Sequence, residues 1–96
     1  MLTSKQRAFL RAKANILSPI FQIGKEGISE NLLLGLDEAL TTRELIKLTI
    51  LETAGITARE ATGIITKALD AEAVQCIGRK IVLYRESIDH KQIELP

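Results

Sequence analysis

Residues 19–51, PIFQIGKEGISENLLLGLDEALTTRELIKLTIL, carry three different chain signals in one run. Pro19 stops any helix before it, because it has no N–H and biases Ser18 toward extended backbone. Ile20 to Ile23 is a short apolar-rich run that suits a strand. Gly24 to Gly27 reads as a turn. Ser29 can cap a helix, and Leu32, Leu33, Leu36 and Leu40 recur at helical spacing to about Leu40. Between Leu45 and Leu51 the period changes to two: Ile46, Leu48 and Ile50 alternate with Lys47 and Thr49, as in a strand with one buried face. A strand–helix–strand unit makes a crossover, and a crossover joins parallel strands.

Before this unit, residues 3–15 read as a helix. Thr3 and Gln6 have capping-box spacing, in which each side chain satisfies a backbone N–H of the other. Leu2, Phe9 and Leu10, with Leu17 if the helix runs on, share one side, and Arg7 and Arg11 fall roughly opposite, toward solvent. After the unit, Gly55 breaks the chain and Thr57 with Glu60 forms a second capping box. Ala61, Ile64, Ile65, Ala68 and Leu69 carry a helix to about Asp70. Residues 73–77 and 80–85 read as strands joined by Gly78 and Arg79, a two-residue connection suited to a type I′ or II′ hairpin. The tail from Glu86 is polar, then mildly apolar at QIELP.

The expected fold class is α+β: a two-layer α/β sandwich in the order α-β-α-β-α-β-β with a four-stranded mixed sheet. One domain, residues 1–96, fits the length, with 86–96 as its polar tail. If the helices cover one face of the sheet, Lys47 and Thr49 are candidates for the open face.

Net charge is only +1, but it is segregated. Residues 1–25 hold Lys5, Arg7, Arg11, Lys13 and Lys25 and no acid, whereas residues 26–44 hold Glu26, Glu30, Asp37, Glu38 and Glu44 against Arg43 alone. Arg79, Lys80 and Arg85 form a second basic cluster. Such a chain can present a basic face at near-zero total charge. The single cysteine, Cys76, can form no disulfide within the chain, which suits a reducing, cytoplasmic setting. It lies in an apolar strand, where a free cysteine acts as a small hydrophobe. No apolar stretch is long enough to span a bilayer, so no membrane partner is expected.

Acid–base catalysis needs titratable groups held together. The one histidine, His90, lies in the polar tail, and neither it nor Cys76 has companions at metal-ligand spacing. No nucleophile elbow, zincin helix or P-loop is present. The expectation is a non-enzyme with no catalytic residues, no metal, no cofactor and no small-molecule substrate. Tyr84 could stack on a base, but its place in IVLY favours core packing.

The Gly24-Lys25-Glu26-Gly27 junction has two readings. It is a plain strand-to-helix turn, or it lets a phosphate approach bare backbone at a helix N-terminus, with Lys25 adding charge. Glu26 opposes the second reading by repulsion.

Taken in order, LTSKQRAFLRAKA, PIFQIGKEGIS, RELIKLTIL, VQCIGRKIVLYRES and the ending KQIELP resemble the CRM family (chloroplast RNA splicing and ribosome maturation domain), whose bacterial single-domain members are YhbY-like. The resemblance implies a fold similar to the C-terminal domain of bacterial translation initiation factor three, with the helices on one side of four mixed strands. It implies RNA binding, with the Gly-x-x-Gly loop acting as in KH domains, and a partner in ribosomal RNA of large-subunit precursors. By position, Gly24, Lys25 and Gly27 match the loop, and Lys5, Arg11, Lys47 and Arg85 match basic positions. Charge and expected exposure add Arg7, Lys13, Arg79 and Lys80. From a different class, the acidic face of the second helix (Glu30, Asp37, Glu38) offers a protein-docking surface for a ribosomal protein or assembly factor.

Overall fold

The structure, a computed structural model, describes residues 1–96. Helix α1 spans Ser4–Ala14, strand β1 Phe21–Ile23, helix α2 Glu30–Arg43 and strand β2 Leu45–Ile50. A single 3-10 turn at Glu52–Ala54 leads to helix α3, Ala58–Leu69, and then to strands β3, Glu72–Ile77, and β4, Lys80–Tyr84. Both capping boxes form: the Thr3 hydroxyl accepts from Gln6 N–H at 3.1 Å while Thr3 N–H donates to Gln6 Oε1 at 3.0 Å, and Thr57 with Glu60 repeats the exchange. The Ser29 hydroxyl caps α2 by accepting from Leu32 N–H at 3.1 Å.

Helix α2 runs one turn past the end of its leucine stripe. In that turn Thr41 and Thr42 satisfy their hydroxyls by donating back to the carbonyls of Asp37 and Glu38, at 3.0 and 3.1 Å, which lets polar residues occupy helical positions that apolar periodicity does not register. In α3 the buried side is Ala58, Ala61, Thr62 and Ile65, while Ile64 and Ala68 are exposed.

The sheet order is β1-β2-β4-β3. β1 pairs with β2 in parallel, and β4 lies antiparallel between β2 and β3. The three crossover-linked strands therefore share one direction, as expected, but β2 and β3 are not neighbours, because β4 inserts between them. Gly78 holds the hairpin at φ +58 while Arg79 keeps a negative φ, which selects the II′ pattern over I′. β3 carries a bulge between Ala73 and Gln75 and forms a sheet edge, so Cys76 is exposed rather than packed as a small hydrophobe.

The layering departs from helices on one side. α2 and α3 cover one face, enclosing Ile23, Leu36, Leu40, Ile46, Leu48, Ile65, Ile81 and Leu83. α1 lies on the opposite face, where Leu10 and Ala14 pack with Leu45, Val74, Val82, Tyr84 and Ile93 of the tail. β4 is thus buried on both faces, which is why IVLY is apolar without alternation. α1 and the tail shield only the half of that face near Leu45 and Tyr84; the other half stays open.

The tail is fastened by Glu44. This residue closes α2 at φ +65 and is fully buried. Its carboxylate accepts N–H bonds from Ser87 at 2.8 Å, Gln92 at 2.6 Å and Ile93 at 2.9 Å. Burial pushes the carboxyl group up, but these three donors, with the Lys91 ammonium nearby, outweigh it and hold Glu44 below the usual carboxylate range.

Candidate nucleic-acid interface

Alternation along β2 and β4 builds the open half of the sheet. Residues facing the helices, such as Ile50 and Ile81, are buried, so their neighbours Thr49 and Lys80 point the other way. Pairing aligns Gln22 with Thr49, Thr49 with Lys80 and Lys80 with Ile77 in one row across four strands. Lys80 Nζ donates to Thr49 Oγ1 at 2.9 Å across the strands. In the next row on the same face, Lys47 pairs with Val82 and Val82 with Gln75. These two rows contain no carboxylate.

The flank of α1 borders this surface. Gln6 Nε2 donates to the Pro96 carbonyl at 3.2 Å, so the tail lies against one side of the helix. Arg7 Nε donates to the Ala73 carbonyl at 3.3 Å on the other side, toward β3. Arg11 follows one turn along the same flank. Both arginines are half-buried rather than directed into free solvent.

The Gly24–Gly27 turn stands at the rim. It follows Ile23, whose carbonyl accepts from Leu51 N–H at 2.8 Å, and it is closed by Gly27 N–H donating to the Gly24 carbonyl at 2.8 Å. Lys25 and Glu26 occupy its exposed corners, and neither side chain makes an ion pair or hydrogen bond within the chain. The loop's own side chains therefore cancel in charge. The N–H groups of Glu30 and Asn31, at the start of α2, have no partner in the chain.

The two glycines differ. Gly27 sits at φ +67, where any side chain strains the backbone, whereas a Cβ on Gly24 would meet Leu51 Cδ1 at 3.6 Å and Thr53 Oγ1 at 3.9 Å, both ordinary contacts. The fold needs Gly27 but does not need Gly24. Gly24→Ala is therefore expected to leave the melting temperature unchanged or slightly raised, through lost freedom in the unfolded chain, while weakening RNA binding if backbone approach matters. Gly27→Ala is expected to cost about 1–2 kcal/mol in stability. Thermal unfolding and RNA titration of both variants check this.

Not every basic residue joins the surface. Lys5 is exposed, about 140° round α1 from Leu10, and faces away from the sheet. Arg79 lies at the loop end of the sheet but is paired with Glu52. Arg85 lies on the other side, among the covering helices: its guanidinium bonds Asp37 Oδ1 at 2.7 Å, Thr41 Oγ1 at 2.9 Å and the carbonyls of Asp37 and Leu69, both at 2.9 Å. It ties α2 to the end of α3. Tyr84 is in the core, and its hydroxyl is buried without a partner; burial, then the Glu44 carboxylate, push the phenol up. It is not available to stack on a base. No group of three or more His, Cys, Asp or Glu side chains converges to hold a metal ion, and no helix is long and apolar enough to cross a membrane.

Comparison with known proteins agrees with this architecture. The protein named "Probable RNA-binding protein YqeI" of Bacillus subtilis (strain 168) is 47% identical over 96 residues, the whole of both chains. An RNA-binding protein of Haemophilus influenzae is 36% identical over 95 residues, 99% of this chain and 95% of that one. The solution structure of the hypothetical protein SAV1595 from Staphylococcus aureus, 44% identical, matches over the full length of both chains with a TM-score of 0.80. The family model for the CRS1 / YhbY (CRM) domain matches residues 2–85, an interval that takes in α1, the glycine turn and all four strands, and the chain belongs to that family.

Proposed function

We propose that this chain binds RNA, and that the RNA is ribosomal RNA in precursors of the large subunit, met in the cytoplasm by a factor with no catalytic step of its own. The observation that carries the RNA reading is the open half of the sheet: Lys47 and Lys80 face outward there, Arg7 and Arg11 border it, and its exposed rows contain no carboxylate. Family membership and the names of the relatives support it. Lysine and arginine neutralise phosphates and release counterions, while the turn and the unpartnered N–H groups of α2 position the backbone. None of these groups reads base identity, so shape and backbone dominate recognition.

Replacing Lys25 and Arg11 together by alanine tests the site. Two lost phosphate contacts should reduce the slope of log K against log salt by about 2 on duplex-rich ribosomal RNA. An unchanged slope removes both residues from the interface.

A second reading, docking of a basic protein partner, rests on the exposed Leu34 beside Leu33, Glu30 and Asp37 on α2. Mobility shift of protein-free ribosomal RNA at moderate salt separates the two, since a docking module binds only assembled particles.

A further inference from the structure

The open half of the sheet is one end of a longer trough. From the hollow between Phe21, Thr49 and Lys80 it passes Ile20, turns around the β1 edge between Lys47 and Arg43, and ends between Arg43, Ile16 and Lys13 at the C-terminus of α1. Lys80, Lys47, Arg43 and Lys13 line these successive hollows and no carboxylate does. Glu38 lines only the adjoining hollow over α2, and the Glu44 carboxylate, next to Arg43 in sequence, is buried and taken up by the N–H groups of Ser87, Gln92 and Ile93. Arg43 borders three of the depressions, is exposed, and makes no ion pair or hydrogen bond, although α2 has acids in earlier turns. Lys13 is likewise unpaired, its ammonium lying 5.4 Å from the centre of the Phe9 ring.

The walls between these cations are apolar and open. Ile16 is 89% exposed and Ile20 39% exposed, flanking Leu17 and Pro19 on the α1–β1 connection. An apolar floor with cations at intervals and no anion matches a single nucleic-acid strand, whose bases need a dry surface or a guanidinium plane and whose phosphates need positive charge. A duplex would not follow the turn around a sheet edge. A basic peptide would be repelled, and an acidic peptide would not use the apolar floor.

We infer that Arg43 and Lys13 form a second nucleic-acid subsite, which takes unpaired nucleotides leaving the RNA held on the sheet face. This rests on the RNA reading above. Lys13 and Lys80 lie at the two ends of the path, and Arg43 is at its bend. The Arg43 guanidinium supplies a stacking plane for a base, and Lys13 neutralises a phosphate beyond it.

The test uses the full chain and a ribosomal RNA stem–loop, either bare or extended by an unpaired tail of about 8 nucleotides on its 5′ or 3′ end. For the wild type, one of the tailed RNAs should bind about tenfold tighter than the bare stem–loop. Its salt slope should be steeper by about 1.4, because Arg43, beside the base it stacks on, and Lys13 each neutralise one phosphate, and each contributes roughly 0.7 on a single strand. Lys13→Ala with Arg43→Ala should abolish both differences and leave binding of the bare stem–loop unchanged. Arg43→Lys should restore the slope but only part of the affinity, since lysine keeps the charge and loses the plane. The inference is overturned if neither tail adds affinity, if the gain survives in the double variant, or if the bare and tailed RNAs weaken equally. A wild type that binds none of these RNAs overturns the RNA reading itself, and the inference with it.

Discussion

Replacing Glu44 by alanine should destabilise the fold by about 3–5 kcal/mol, because the buried N–H groups of Ser87 and Ile93, and the partly buried one of Gln92, lose their only acceptor. For a domain of this size that is a large share of a total of roughly 5–15 kcal/mol, and a drop of about 15–25 °C in melting temperature follows. Losing the acceptor frees the tail, and with it Ile93, which packs against Leu10, Leu45 and Tyr84. Glu44→Gly sharpens the test. Glycine relieves the positive φ, a gain of about 1 kcal/mol, yet it should still unfold well before the wild type. Glu44→Gln keeps one oxygen and should fall between. Urea denaturation measures all three, and amide exchange at Ser87, Gln92 and Ile93 reports the tail directly. An alanine variant within 1 kcal/mol of the wild type would mean that water replaces the carboxylate, and the clamp would carry little weight.

The same carboxylate sets a pH dependence. Its folded-state pKa lies below the ordinary value, so the folded protein favours the ionised form. By linkage its contribution is complete above the unfolded glutamate pKa, about 4.3, and is lost as pH falls through the lower folded value. The stability gap between wild type and Glu44→Gln should therefore be constant from neutral pH to near that point and close only below it.

Local signals were legible in the sequence, and long-range commitments were not. Thr3 with Gln6, Ser29 and Thr57 with Glu60 act within three residues, so spacing alone reveals them. Alternation along β2 put Lys47 and Thr49 on the open face. By contrast, Glu44 is one acid in a run of acids, and its partners lie 43, 48 and 49 residues away. Nothing nearby marks it for burial. Arg85 has the look of a surface cation, but Asp37, 48 residues distant, claims it. The side of the sheet that α1 takes does have a signal. Ile81, Val82, Leu83 and Tyr84 are all buried, and an unbroken apolar strand needs cover on both faces. Arg43 was hidden by its acidic neighbours in sequence, of which Glu44 is buried under the tail and Glu38 borders only the hollow over α2.

Reversing the charge at Lys47 and Lys80 together should remove most of the RNA affinity without unfolding the protein. Binding through six to ten phosphate contacts with a Kd near 10⁻⁴–10⁻⁶ M amounts to roughly 1 kcal/mol per contact. Neutralising two contacts with Lys47→Gln and Lys80→Gln should therefore weaken binding about 30-fold. Lys47→Glu with Lys80→Glu adds repulsion of similar size and should bring the loss to several hundred-fold. Neither position supports the core: Lys80 is exposed and Lys47 half-buried, and the one bond lost is that from Lys80 Nζ to Thr49 Oγ1. Stability should stay within about 1 kcal/mol, which thermal unfolding verifies. The glutamine pair removes charge at nearly constant side-chain length, so its salt slope isolates the electrostatic term, while the glutamate pair tests its sign. Raising the salt should bring all three proteins toward one weak affinity, because screening removes what distinguishes them. A folded double-glutamate variant that binds ribosomal RNA within twofold of the wild type at low salt would take the interface off this face. The α1 flank and the glycine turn would then have to hold the RNA without the sheet, and the unpaired Glu26 at the corner of that turn would stand against them.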